Sequence, residues 1–103
     1  MREGLAIVVT PGGGYWPLPQ IGWLRRVAGD EWEIVNARVL KRAGTAVPLA
    51  DLAADGLGDR TSIGRPSKYP VPVHRLTIRR VEFADPEKWA KECPRPSGWE
   101  NAR

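Results

Sequence analysis

Cysteine and histidine are almost absent, since Cys93 and His74 stand alone in a chain of 103 residues. One thiol cannot close an internal disulfide or build a cysteine-based zinc cluster, and its isolation fits a reducing compartment. One imidazole cannot build a histidine-based metal site. Ser62, Ser67 and Ser97 all fall in loop-forming sequence with no Gly-x-Ser-x-Gly elbow around them. Cys93 precedes a proline and has no flanking base to activate it, so it is expected to be dispensable for binding. Asp51 and Asp55 are four residues apart with no third ligand beside them, which argues against a cation site. These gaps predict a protein that is not an enzyme and carries no metal or cofactor. No apolar run is long enough to span a bilayer and no signal-peptide pattern opens the chain, which together predict a cytoplasmic domain with no membrane partner.

Acid is missing from two long stretches. Between Ile34 and Ala50 the only charges are Arg38, Lys41 and Arg42. From Arg60 to Val81 there are again only cations, Arg60, Arg65, Lys68, Arg75, Arg79 and Arg80. The formal charge of +4 therefore sits unevenly and favours anionic partners. Gly 11 and Pro 10 make about a fifth of the chain, which favours short strands and turns over long helices.

The strongest pattern is the pair of runs Gln20–Ala28 and Glu31–Arg38, separated by Gly29-Asp30. It predicts a β-hairpin in which Trp32 and Ile34 share the core face and Glu31 and Glu33 take the other. Gly4–Thr10 reads as a buried strand, and Pro11–Pro19 as a loop carrying Tyr15 and Trp16. Gly12–Gly14 lacks the Gly-Lys-Ser/Thr and the helix that a phosphate loop requires. Val47–Leu57 predicts a short helix, with Pro48 in its first turn, Leu49, Leu52 and Ala53 on one face, and Gly56 ending it. Asp59–Pro70 reads as a loop. Val71–Phe83 reads as a last strand whose alternation slips twice, the sign of bulges or a sharp bend.

Asp85-Pro86 before Trp89 has the signature of a second helix start, and Cys93–Arg103 is a Pro/Gly tail with a lone Trp99. The expected architecture is mainly β: a small, strongly bent antiparallel sheet or SH3-like barrel over residues 1–84, with one short inserted helix. Residues 85–103 would add a short C-terminal helix and the tail. A tail tryptophan with little to pack on predicts a homo-oligomer.

Five tryptophans are many for this length. Strand phase puts Trp23 and Trp32 in the core. Trp16, Tyr15 and Tyr69 ride on loops and could stack on bases, while Arg38, Arg75, Arg79 and Arg80 could hold phosphates. Arg60, beside Asp59 in a loop, is expected to take no part.

The segment Val35-Asn-Ala-Arg-Val-Leu-Lys-Arg-Ala-Gly-Thr-Ala46, then Leu49-x-x-Leu-Ala-x-x-Gly56 and Val71-x-Val-x-x-Leu-Thr77, resembles a group of small phage-encoded proteins known only as a domain of unknown function. The resemblance spans roughly residues 5–83. This chain departs from it at Arg42, where those proteins carry a tryptophan before Gly-Ala, and again in the C-terminal segment. It implies a phage protein acting in the host cytoplasm. Such proteins are often virion parts, nucleic-acid binders, or sponges of host defence signals. The expectation is anti-defence binding of an anionic nucleotide-like ligand such as a cyclic nucleotide. The alternative is a structural or nucleic-acid-associated phage protein with a basic strand facing DNA. The two differ in salt response, which is steep for an extended DNA contact.

Overall fold

The computed structural model describes residues 1–11, 19–42, 48–58 and 61–99. Among these are six antiparallel strands in one sheet and one short α-helix. The strands are β1 (Gly4–Val9), β2 (Gln20–Ala28), β3 (Glu31–Arg42), β4 (Thr61–Ile63), β5 (Val71–His74) and β6 (Arg80–Phe83), with α1 (Leu49–Asp55) before β4. Their order is β4-β3-β2-β1-β6, and β5 also pairs with β3.

β2 and β3 form the expected hairpin, closed by Gly29-Asp30 with Ala28 opposite Glu31. Gly29 has φ 55, the left-handed conformation a tight turn demands. β1 lies between β2 and β6 and is buried on both faces, which explains its unbroken apolar run. Ala6 and Val8 join Leu24, Trp32, Ile34 and Ala37 on one side. Leu5 and Ile7 join Ile21, Trp23 and Leu40 on the other, where α1 and residues 84–99 cover them.

β3 bends in its middle. Three residues of β2, Ile21 to Trp23, face four of β3, Arg38 back to Val35, so the pairing carries a bulge. Asn36 takes the left-handed conformation there, φ 55, as asparagine can at modest cost. Gly22 faces the bulge. A Cβ on it would collide with the Ile34 side chain and lie 3.0 Å from the Val35 carbonyl oxygen. Gly22→Ala is therefore expected to destabilise the fold by about 2 kcal/mol, the cost of overpacking a tight core position. A urea-denaturation midpoint equal to wild type would refute the close approach.

The helix is as its sequence implies. Leu49, Leu52 and Ala53 are buried, and Gly56, at φ 91, donates its N–H to the Leu52 carbonyl at 3.0 Å to end it. Two other expectations need correction. Asp59–Pro70 is not all loop, because Thr61–Ile63 forms β4 on the far half of β3. The run Val71–Phe83 is not one strand: it leaves β3 after His74, passes through a 3-10 turn at Arg75–Thr77, and resumes on β1 as β6. The two slips in its alternation mark that crossing.

The segment after Ala84 is a chain of turns rather than the expected C-terminal helix. Asp85 does cap a turn, accepting the Glu87 N–H at 2.9 Å, and Trp89 N–H reaches the Asp85 carbonyl at 3.2 Å. Tertiary contacts then claim the backbone. The Glu92 carbonyl accepts from Arg38 and the Cys93 carbonyl from the Trp23 indole. Trp89 and Trp99 are both buried. Trp99 meets Trp23 edge-on at 5.6 Å, and the Arg25 guanidinium lies 5.7 Å from its ring. Residues 93–99 of the tail thus dock within their own chain, and the argument for an oligomer from an unpacked Trp99 falls away.

Candidate functional site

The crossing from β5 to β6 gathers arginines. Its backbone is pinned at nearly every step. Arg75 N–H donates to the Asp30 carbonyl at 2.7 Å, Ile78 N–H to the Arg75 carbonyl at 3.2 Å, and Arg79 N–H to the Val9 carbonyl at 2.8 Å. His74 caps the turn: its Nδ1 accepts the Leu76 N–H at 3.2 Å, and its carbonyl accepts the Thr77 hydroxyl at 2.8 Å. Three guanidiniums therefore extend from a backbone held against both the hairpin turn and β1, which lowers the ordering cost of gripping an anion.

Two adjoining cavities open here. One, of about 340 Å³, is lined by Met1, Arg75, Ile78, Arg79, Arg80 and Val81. The other, of about 410 Å³, is lined by Met1, Glu3, Arg26, Gly29, Asp30, Trp32 and Arg75. Met1 and Arg75 belong to both walls. Arg79 has no side-chain partner among the described residues. Arg80 donates from Nε and Nη2 to one Glu82 oxygen at 2.7 Å, and Arg75 Nε stands 3.9 Å from Asp30. Such exposed pairs are weak, about 0–1 kcal/mol, and yield readily to a ligand.

Trp32 is buried within this second cavity's wall, yet its Nε1 has no hydrogen-bond partner among the described residues. Two other indoles differ. Trp23 Nε1 donates to the Cys93 carbonyl at 3.3 Å, and Trp89 Nε1 to the Leu52 and Ala53 carbonyls at 3.2 Å. An orphaned buried donor is costly, so the Trp32 N–H stands out.

No family model, curated protein or solved structure matches this chain. The site's own chemistry carries the functional reading.

Of the residues singled out in the sequence, Arg75, Arg79 and Arg80 come together. Arg38 does not join them: its Nε donates to the Gly64 carbonyl at 2.6 Å and its Nη1 to the Glu92 carbonyl at 2.7 Å. It clasps β3 to two later segments. Tyr69 is exposed with the Lys68 ammonium 5.6 Å from its ring, and it lines neither cavity. Tyr15, Trp16 and Arg60 lie outside the described residues. Arg26, Asp30 and Glu3 were not anticipated as site residues. The hairpin register, which sets Arg26 opposite Trp32, was the one available signal.

Among the described residues no three metal-ligating side chains cluster. Cys93 is buried, and loss of solvation raises its thiol from 9.0 to about 11 despite the opposing Arg38 charge. Because the folded value lies above the unfolded one, Cys93 contributes stability that is complete below pH 9 and is lost as pH climbs through 11. Iodoacetamide at neutral pH is expected to modify Cys93 only in urea-unfolded protein. Rapid labelling of the native chain would contradict its burial.

Proposed function

We propose that this chain is a non-enzymatic binding protein for an anionic, nucleotide-like ligand, held by the arginine turn between β5 and β6. The carrying observation is the convergence of Arg75, Arg79 and Arg80 on one cavity wall with no carboxylate among its described lining residues. The fold reading that accompanies it is an SH3-like barrel. Strands β5-β3-β2-β1-β6 run in series, and the 3-10 turn joins the two ends of that series. If the chain acts as the phage proteins it resembles would suggest, binding serves to sequester host nucleotide signals.

Calorimetric titration with cyclic nucleotides, mononucleotides and short duplex DNA tests this. Arg79→Ala is expected to weaken nucleotide binding about tenfold, or about 1.4 kcal/mol, because the site is shallow and partly solvated. Arg65→Ala, on an exposed residue away from both cavities, should leave it unchanged. Equal affinities for wild type and Arg79→Ala would reject the site. Tight DNA binding that collapses with salt, with no nucleotide binding, would favour the DNA-facing alternative instead.

A further inference from the structure

We infer that the two cavities divide a nucleotide between them, the phosphate lying against Arg75, Arg79 and Arg80 and the nucleoside against Trp32, Asp30 and Glu3. This rests on the nucleotide reading above and assigns residues that the reading does not use.

Charge separates the two halves. Among the described residues, the smaller cavity has three guanidiniums and no carboxylate in its wall. The larger sets Glu3 and Asp30 against Arg26 and Arg75, so its charges balance. A phosphate in the larger cavity would face two lining carboxylates, whereas the carboxylate that approaches the smaller is Glu82, which pairs with Arg80 and is not among its described lining residues. A nucleoside is neutral and rich in donors and acceptors, and the larger cavity's groups suit it. Carboxylates only accept, and they differ in what they have left to accept. Glu3 already takes the Arg26 N–H at 3.0 Å. Among the described residues Asp30 has only the distant Arg75 guanidinium at 3.9 Å, which leaves its oxygens for a sugar hydroxyl or a ring or amino N–H of a base.

The Trp32 N–H supplies the complementary need. Among the described residues it is a buried donor without an acceptor, and Trp32 lines the larger cavity and not the smaller, as well as a further hollow beside Pro72 and Val73. That N–H is sealed from solvent, so a base carbonyl or ring nitrogen satisfies it only where the covering side chains move aside. Arg75 lines both cavities and so stands where sugar meets phosphate. The volumes, about 410 and 340 Å³, each fall within the range of small-ligand sites, roughly 300–1,000 Å³.

Titrating the full chain with pyrophosphate, GMP and AMP separates this inference from the reading beneath it. The expected result is that at least one mononucleotide binds tenfold or more tighter than pyrophosphate. Asp30→Asn and Trp32→Phe should each remove most of that advantage without weakening pyrophosphate, whereas Arg79→Ala should weaken both ligands. Asp30 is exposed in a hairpin turn where asparagine is well tolerated, so that variant keeps the test intact if Trp32→Phe does not fold. Equal affinity for pyrophosphate and both nucleotides, with both lowered by Arg79→Ala, would overturn the division and leave the anion site standing. A nucleotide advantage unchanged in Asp30→Asn would overturn it too. Failure of all three ligands to bind would remove the anion site and the division together.

Discussion

Urea denaturation of Trp89→Ala is expected to show a loss of about 3–5 kcal/mol, the range for deleting a large buried aromatic. Trp89 is fully buried and belongs to the cluster built on Leu5, Ile7 and Trp23. Its indole also donates to two carbonyls at the end of α1, those of Leu52 and Ala53. Close by, Asp85 N–H donates to the Ala53 carbonyl at 3.0 Å, and the Lys88 carbonyl lies against Gly56. One side chain thus holds the short helix, the turns after Ala84 and the β1–β2 face in register. Alanine leaves a cavity and two carbonyls short of a donor. Trp89→Phe retains most of the apolar contact and loses the donor, so it should recover more than half of the deficit. A loss under 1 kcal/mol for Trp89→Ala would mean that residues 85–99 are not part of this core.

The elements that were legible in the sequence are those whose stabilising contacts are local or strictly periodic. Alternation around Gly29-Asp30 identified the hairpin, and Leu49, Leu52 and Ala53 with Gly56 identified α1. The turns after Ala84 defeated the same reasoning. Asp85-Pro86 makes a genuine local cap, yet the carbonyls of Glu92 and Cys93 are bonded to Arg38 and Trp23, residues far away along the chain. Local signals cannot register that competition. Trp99 was misjudged for the same reason. In a Pro/Gly tail it has no periodicity, and its partner Trp23 lies on the second strand.

The site was half legible. Arg75, Arg79 and Arg80 were marked by an acid-free run and a slip in strand phase, and both features have a structural cause in the crossing from β3 to β1. Asp30 and Trp32 were not marked, because the second cavity exists only where that crossing meets the hairpin turn through the Arg75 N–H and the Asp30 carbonyl. The same acid-free logic also pointed to Arg38, and there it failed. A cation on a rigid strand can be held for a phosphate or held by the protein's own carbonyls, and the sequence does not distinguish them.

That distinction is testable. Arg38→Ala is expected to lose on the order of 3 kcal/mol of stability while the folded fraction binds ligand as wild type does. The Arg38 guanidinium reaches Gly64 in one direction and Glu92 in the other, through two short charge-assisted bonds. The bulge beside it is fixed by a second pair of contacts, in which Ser67 Oγ accepts the Ala37 N–H at 3.1 Å and Ser67 N–H donates to the Ala37 carbonyl at 2.8 Å. Arg38 therefore completes a latch that joins the bend of β3, the segment after β4 and the C-terminal turns. Removing it leaves two partly buried carbonyls with water as their only substitute. Lysine keeps the charge, but its single ammonium cannot span two carbonyls on opposite sides, so Arg38→Lys should recover less than half of the loss. Urea midpoints and calorimetry on the same preparations separate the roles. A variant as stable as wild type but tenfold weaker for nucleotide would show that Arg38 meets the ligand after all. Lost stability with unchanged affinity would fix it as the latch.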